Sequence, residues 1–132
     1  MRILVTGSRI WTDQEAVWRA LDQCAYDAGN ELIVVHGACP RGADLLAAKW
    51  CEEFTAWYET TNGQLIIEES HPAKWRENSK LNRAAGIQRN IEMVDLGADQ
   101  VLAFPLPGGK GTQHCMAYAE KQGIRVINLG SL

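Results

Sequence analysis

The stretch AFPLPGGKGTQHC, residues 103–115, sets three glycines within four positions beside two prolines, a lysine and a threonine. An apolar run precedes it and a helical pattern follows. Glycine lets a ligand come close to the backbone because no Cβ intervenes. A helix starting there offers unpaired N–H groups and a partial positive charge. These features suit a phosphate. Gly108, Gly109, Gly111 and Thr112 would cradle it, and Lys110 would add a cation.

Three further segments carry similar chemistry. TGSR, residues 6–9, offers Gly7, Ser8 and Arg9. HGACPRGAD, residues 36–44, offers Gly37, Arg41, Gly42 and Asp44. GIQRN, residues 86–90, offers Arg89 and Asn90. Arginine presents a planar fork that matches phosphate oxygens, so Arg89 is expected to pair with the anion. Asp44 is a candidate for ribose hydroxyls. Plain turn glycines and solvated loop charges would explain any one segment; their gathering on one rim argues for a site.

Better-known chemistries fit poorly. The dinucleotide fingerprint is absent after the first strand, where Gly7 stands alone. Gly37 and Gly42 have the glycine spacing of a P-loop, but Ala43 and Asp44 replace its lysine and hydroxyl residue. Ser8 lacks the flanking glycines of a hydrolase elbow. His36 with Cys39, and His114 with Cys115, do not form the two spaced pairs of a zinc site, and neither a metal nor a cofactor is expected.

Elements must position these segments. RILVT reads as a buried strand ending at Gly7. TDQE, residues 12–15, reads as a capping box with Thr12 as the cap. Val17, Leu21, Cys24 and Ala28 then line one helix face, which Gly29 stops. ELIVVHG is a second strand. A helix follows from Ala43, with Leu46, Trp50, Phe54 and Trp57 in register and TTNG breaking it. QLIIEE is a third strand, and SHPAKWRENSKLN a polar loop. Ile87, Ile91 and Val94 mark a third helix, closed by Gly97. QVLAF, a helix over 111–122 and IRVINL complete the chain. Strand–helix alternation implies a three-layer Rossmann-like α/β fold, with a mainly parallel sheet of about five strands. Residues 1–132 are expected to form one domain. Ligands of such sheets sit beyond the carboxyl ends of the strands.

Composition narrows the partner. The chain has 46% hydrophobic and 22% charged residues, with a net charge of −3. That is globular composition, and an acidic total argues against a polynucleotide partner. No apolar stretch reaches the ~20 residues of a membrane helix, so no membrane partner is expected. Cys24, Cys39, Cys51 and Cys115 form no C-x-x-C pair, and MRILVTGSR enters a strand directly rather than a leader. Both features imply reduced thiols in a cytoplasm. Trp18, Trp50 and Trp57 suggest apolar surface enough for a homodimer.

Together, VTGSRIWTD, VVHGACPRGAD, HPAKW, AAGIQRNIEMV, GADQVLAFPLPGGKGTQHC and AEKQGIRV resemble the YspA-like branch of the SLOG superfamily, named for the Smf/DprA and LOG proteins. The resemblance covers nearly the whole chain in order; residues 52–63 look longer than the family's spacing. It implies a Rossmann-like fold that binds nucleotides or their derivatives, and a source in an actinobacterium or its phage, hence a host cytoplasm. LOG proteins are phosphoribohydrolases with a P-G-G-x-G-T loop, then paired glutamates, and an upstream R-K-x-x-M stretch. Pro107, Gly108, Gly109, Gly111 and Thr112 match the loop. Arg89 and Met93 match the stretch, with Asn90 replacing lysine. His114 and Cys115 occupy the places of the glutamates.

That departure bears on chemistry. Breaking an N-glycosidic bond builds positive charge on the ribose, which a nearby carboxylate stabilises. Histidine and thiol do neither in the same way. The expected role is therefore binding or signalling with a nucleotide-like small molecule. The alternative is a nucleoside-monophosphate glycosidase, or a hydrolase of NAD- or ADP-ribose-type molecules, with Asp44 or Glu92 as its catalytic carboxylate. A DNA-handling module is a third, weaker reading.

Overall fold

The structure, a computed structural model, describes residues 1–130. Five strands form one parallel sheet: β1 (Arg2–Gly7), β2 (Glu31–His36), β3 (Leu65–Ser70), β6 (Gln100–Phe104) and β7 (Arg125–Asn128). Their order is β3-β2-β1-β6-β7. The sheet thus grows outward in two directions from β1, and the switch point lies between β1 and β6. Those two pair in parallel from Ile3 with Gln100 to Gly7 with Phe104. The register brings the ends of both strands, and the glycine loops they feed, side by side.

Four helices cover the two faces: α1 (Gln14–Ala28), α2 (Ala43–Asn62), α3 (Ala85–Asp95) and α4 (Lys110–Lys121). This is the three-layer Rossmann-like architecture the alternation implied. Side chains alternate across a strand, and β1 shows the consequence. Ile3 and Val5 pack with Val17, Leu21, Ala47 and Trp50 under α1 and α2. Leu4 packs on the other face with Met93, Val94, Cys115 and Ala119 from α3 and α4.

Several boundaries differ from the sequence reading. Asp13, not Thr12, caps α1: its side chain accepts from the Ala16 N–H. Two adjacent cap-type residues compete there, and the one at the correct offset wins. The α2 helix runs through Thr60–Asn62, and Gly63, in the left-handed region at φ 62°, ends it. Trp57 lies off the buried face of α2, which is formed by Ala47, Trp50, Cys51 and Tyr58. Residues 52–62, which the sequence left without a site role, are the last three turns of α2. In α3, Ile87 is exposed and Met93 joins Val94 in the core. Within the polar loop a small antiparallel ribbon forms from β4 (Arg76–Glu77) and β5 (Lys80–Leu81). Its turn residues Asn78 and Ser79 both have positive φ, 54° and 64°, the pattern of a type I′ hairpin.

Several polar groups inside this frame have partners, while His114 Nδ1 is buried without one among the described residues. Gln64 donates to the carbonyls of Ala25 and Gly29, satisfying the end of α1. Asp22 accepts from Trp50 Nε1 at 3.0 Å and from the Tyr58 hydroxyl at 2.7 Å. Arg2 grips Glu69 with both terminal nitrogens and Gly97 through Nε, tying β1 to β3 and to the end of α3.

Candidate functional site

A cavity of about 450 Å³ opens at the carboxyl ends of β1 and β6. That volume is within the range of small-molecule sites, roughly 300–1,000 Å³. Gly7, Ser8, Arg9, Asp44, Arg89, Asn90, Gly108, Gly109, Lys110, Gly111 and Thr112 all line it. Segments separated by a hundred residues therefore meet at one place, as the parallel topology requires.

The floor is the start of α4. Its cap residue is Gly109, with no side-chain capping bond. The first turn carries no acidic residue. The N–H groups of Lys110, Gly111 and Thr112 have no protein acceptor among the described residues. An uncapped helix start presents free N–H groups and a partial positive charge, the features that suit an anion. The glycines divide the work. Gly108 takes the left-handed conformation, φ 85°, that turns the chain into the helix. Gly109 sits at φ −78°, and a Cβ there would meet the Leu106 carbonyl at 3.3 Å. A Cβ on Gly111 would meet no protein atom within 4 Å.

The helix start of α2 is built differently. The Ala43 N–H donates to the Ser8 carbonyl at 3.2 Å. A Cβ on Gly42 would collide with the Ser8 carbonyl and the Arg9 backbone. So Gly42 exists to let the β1–α1 loop lie across this helix start. Gly37 serves a similar purpose, since a Cβ there would strike the Arg89 guanidinium at 2.5 Å. Arg41 is exposed. Gly37, Arg41 and Gly42 are not among the cavity-lining residues; the two glycines support the wall from behind.

Arg89 is held firmly. Its Nη1 donates to the Gly37 carbonyl at 2.5 Å and to the His71 carbonyl at 3.4 Å, and its Nε to Asn90 Oδ1 at 2.9 Å. Asn90 in turn donates to the Gly111 carbonyl at 3.3 Å. Asn90, standing where the LOG pattern has lysine, thus braces the arginine against the glycine loop. Nη2 has no protein acceptor among the described residues.

Asp44 is buried beside this pair, and its Oδ2 accepts from the Cys39 N–H at 3.2 Å. Burial pushes its carboxyl above the usual range, against the opposing pull of the Cys39 N–H, His36 and Arg89. His36 is 2% exposed. Its Nδ1 accepts from the Ala38 N–H at 3.0 Å, which leaves Nε2 to carry the hydrogen donated to Glu68 at 2.6 Å. Ala38 is held at φ 56°. Glu92 is exposed and outside the lining, so the sheet rim does not bring it to Asp44. His114 and Cys115 do not line the cavity either; Cys115 is fully buried, which raises its thiol pKa.

Other lining residues received no site role from the sequence: Ile10, Trp75, Arg83 and Gly86, and also Ile87, which was read as helix core. Trp75 gives the one available signal, a tryptophan in a polar stretch with no core face to serve. Among the described residues, no cluster of three or more His, Cys, Asp or Glu could hold a metal, and no helix is long and apolar enough to cross a membrane. All four cysteines are free thiols.

A five-stranded parallel sheet between helices, with a cavity at its switch point, places the chain in the class of three-layer Rossmann-like α/β proteins. Comparison with known proteins narrows the class. Residues 1–60 match the family described as YspA, cpYpsA-related SLOG. The chain is 46% identical to the Gene 61 protein of Mycobacterium phage D29 over 129 residues, 98% of this chain and 96% of that protein. No solved structure matches. The chain belongs to the YspA, cpYpsA-related SLOG family.

Proposed function

We propose that this chain is a single-domain cytoplasmic protein, acting in a host cell, that binds a nucleoside phosphate or nucleotide-derived ligand as a sensing or signalling module. The observation that carries the reading is the set of unpaired first-turn amides of α4 on the cavity floor. Family membership and the lining by Arg89 and Ser8 support it. The phosphate would take the amides of Lys110, Gly111 and Thr112, with Lys110 and Arg89 Nη2 nearby. Asp44 would face the sugar.

Binding is favoured over base release because the positions of the LOG glutamates hold His114 and Cys115, away from the cavity. One observation favours the hydrolytic alternative: Asp44 is a buried carboxyl on the cavity wall with its proton affinity raised, as a general acid requires. Calorimetry and a base-release assay with AMP, GMP, CMP and UMP separate the two. Binding without turnover is the expected result. Turnover that Asp44→Asn abolishes would transfer the site to the glycosidase class, and no binding of any nucleotide would refute both.

We also propose a homodimer, on narrower grounds than three tryptophans. Trp50 is fully buried, and Trp18 packs edge-on against Phe54 with its Nε1 bonded to the Leu46 carbonyl. Trp57, 51% exposed, is the surface that stays available to a second copy. Sedimentation at micromolar concentration is expected to give a dimer; monomer alone would contradict it.

A further inference from the structure

The cavity has two chemically distinct parts. The phosphate cradle is backbone amide and cation. Around the same cavity stand Trp75, Ile10 and Ile87, which are 40%, 67% and 45% exposed. Singly exposed apolar residues are ordinary, but three gathered around one cavity form the kind of patch that marks a ligand-binding groove. Arg9 lays its guanidinium over the Trp75 ring, 5.2 Å from the centroid. The ring therefore already accepts a flat, delocalised group on one face. Gly86 makes room for it: a Cβ at Gly86 would stand 3.1 Å from the end of the indole. The first turn of α3 is thus shaped to let Trp75 lie against it.

We infer that Trp75, flanked by Ile10 and Ile87, is the stacking subsite for the planar base of that ligand. This rests on the phosphate reading above and deepens it. The phosphate loop and the indole line one continuous cavity of about 450 Å³, so one ligand with a charged end and a flat apolar end can occupy both. A base stacks on an aromatic face with little regard to its identity. Trp75 therefore supplies affinity for the base, and Arg9 either stays as the opposing layer or yields its place on the ring. An unattached sugar phosphate would leave the indole exposed and gain nothing from it.

The test is calorimetry on wild type, Trp75→Ala and Trp75→Phe, each titrated with ribose 5-phosphate and with AMP, GMP, CMP and UMP. Thermal melts verify that each variant is folded. In the wild type at least one nucleotide is expected to bind more tightly than ribose 5-phosphate. Trp75→Ala should weaken that nucleotide about tenfold, and Trp75→Phe should retain most of the affinity. Ribose 5-phosphate should bind all three proteins alike. The inference is overturned if Trp75→Ala leaves nucleotide affinity within twofold of wild type, or if it weakens ribose 5-phosphate equally. It is also overturned, with the phosphate reading intact, if ribose 5-phosphate binds wild type as well as any nucleotide does. Absence of binding by every probe refutes the phosphate reading itself, and the base subsite falls with it.

Discussion

Arg89 reaches two loops and a neighbouring side chain at once, through Gly37, His71 and Asn90. Its removal therefore costs structure as well as charge. Arg89→Ala is expected to lose ~1.5–3 kcal/mol of stability, the range for hydrogen bonds to charged groups, alongside weaker nucleotide binding. Urea denaturation checks this; unchanged stability would mean that the carbonyls find other donors. Asp44 carries an opposite lesson. Its folded carboxyl keeps its proton to higher pH than the usual value of 3.8, so its contribution to stability falls as pH rises above that value. Asp44→Asn keeps an acceptor for the Cys39 N–H without the buried charge. At pH 7 the variant is expected to melt no lower than wild type, and a clearly lower melting temperature would contradict that. The residue types were legible in the sequence, but these ties were not. Nothing in GIQRN states that an arginine must hold the carbonyl of Gly37, 52 positions away. Gly37 and Gly42 illustrate the same limit. Their glycine spacing suggests a ligand loop, whereas the atoms they avoid belong to Arg89, Ser8 and Arg9.

At the scale of elements, the proposed binding rests on the start of α4. Gly111→Val adds bulk where no protein atom lies within 4 Å and slightly favours helix over glycine. The variant is expected to keep its melting temperature and lose nucleotide binding; normal binding by calorimetry would make the loop a connector. The Arg2–Glu69–His71 group shows what holds the sheet edge. Hydrogen bonds from Arg2 and then His71 depress the Glu69 carboxyl to about 2 from 4.5. A depressed carboxyl stabilises the fold above its unfolded value and loses that contribution as pH falls through its folded one. Glu69→Gln should thus cost about 1 kcal/mol at neutral pH, a value kept small because the pair is partly exposed. The gap between variant and wild type should close between pH 4.5 and about 2. A gap independent of pH would show that packing, not charge, is responsible. Strand and helix order was readable because apolar runs and glycine stops repeat along the chain. The β4–β5 ribbon was not, since its turn is Asn-Ser rather than Asn-Gly and its strands are two residues each. The shift of the α1 cap from Thr12 to Asp13 was hidden for a related reason: both residues are good caps.

For the whole molecule, topology turns four distant glycine segments into one site. Pairing β1 with β6 sets the chain reversal where both loops open, and the cavity lies at that carboxyl rim. The acidic net charge of −3 does not oppose this, because the cations and amides are concentrated at the rim. The family match and the phage relative show the family, while the ligand is argued from the cavity. The most direct measurement is a titration of the ¹⁵N-labelled protein with a nucleoside monophosphate from the panel, followed through its backbone amide resonances. The amides of Lys110, Gly111 and Thr112 are expected to shift first and furthest, with those of Gly7, Ser8 and Arg9 close behind. Saturating nucleotide that leaves these amides unmoved, or shifts resonances elsewhere instead, would contradict it.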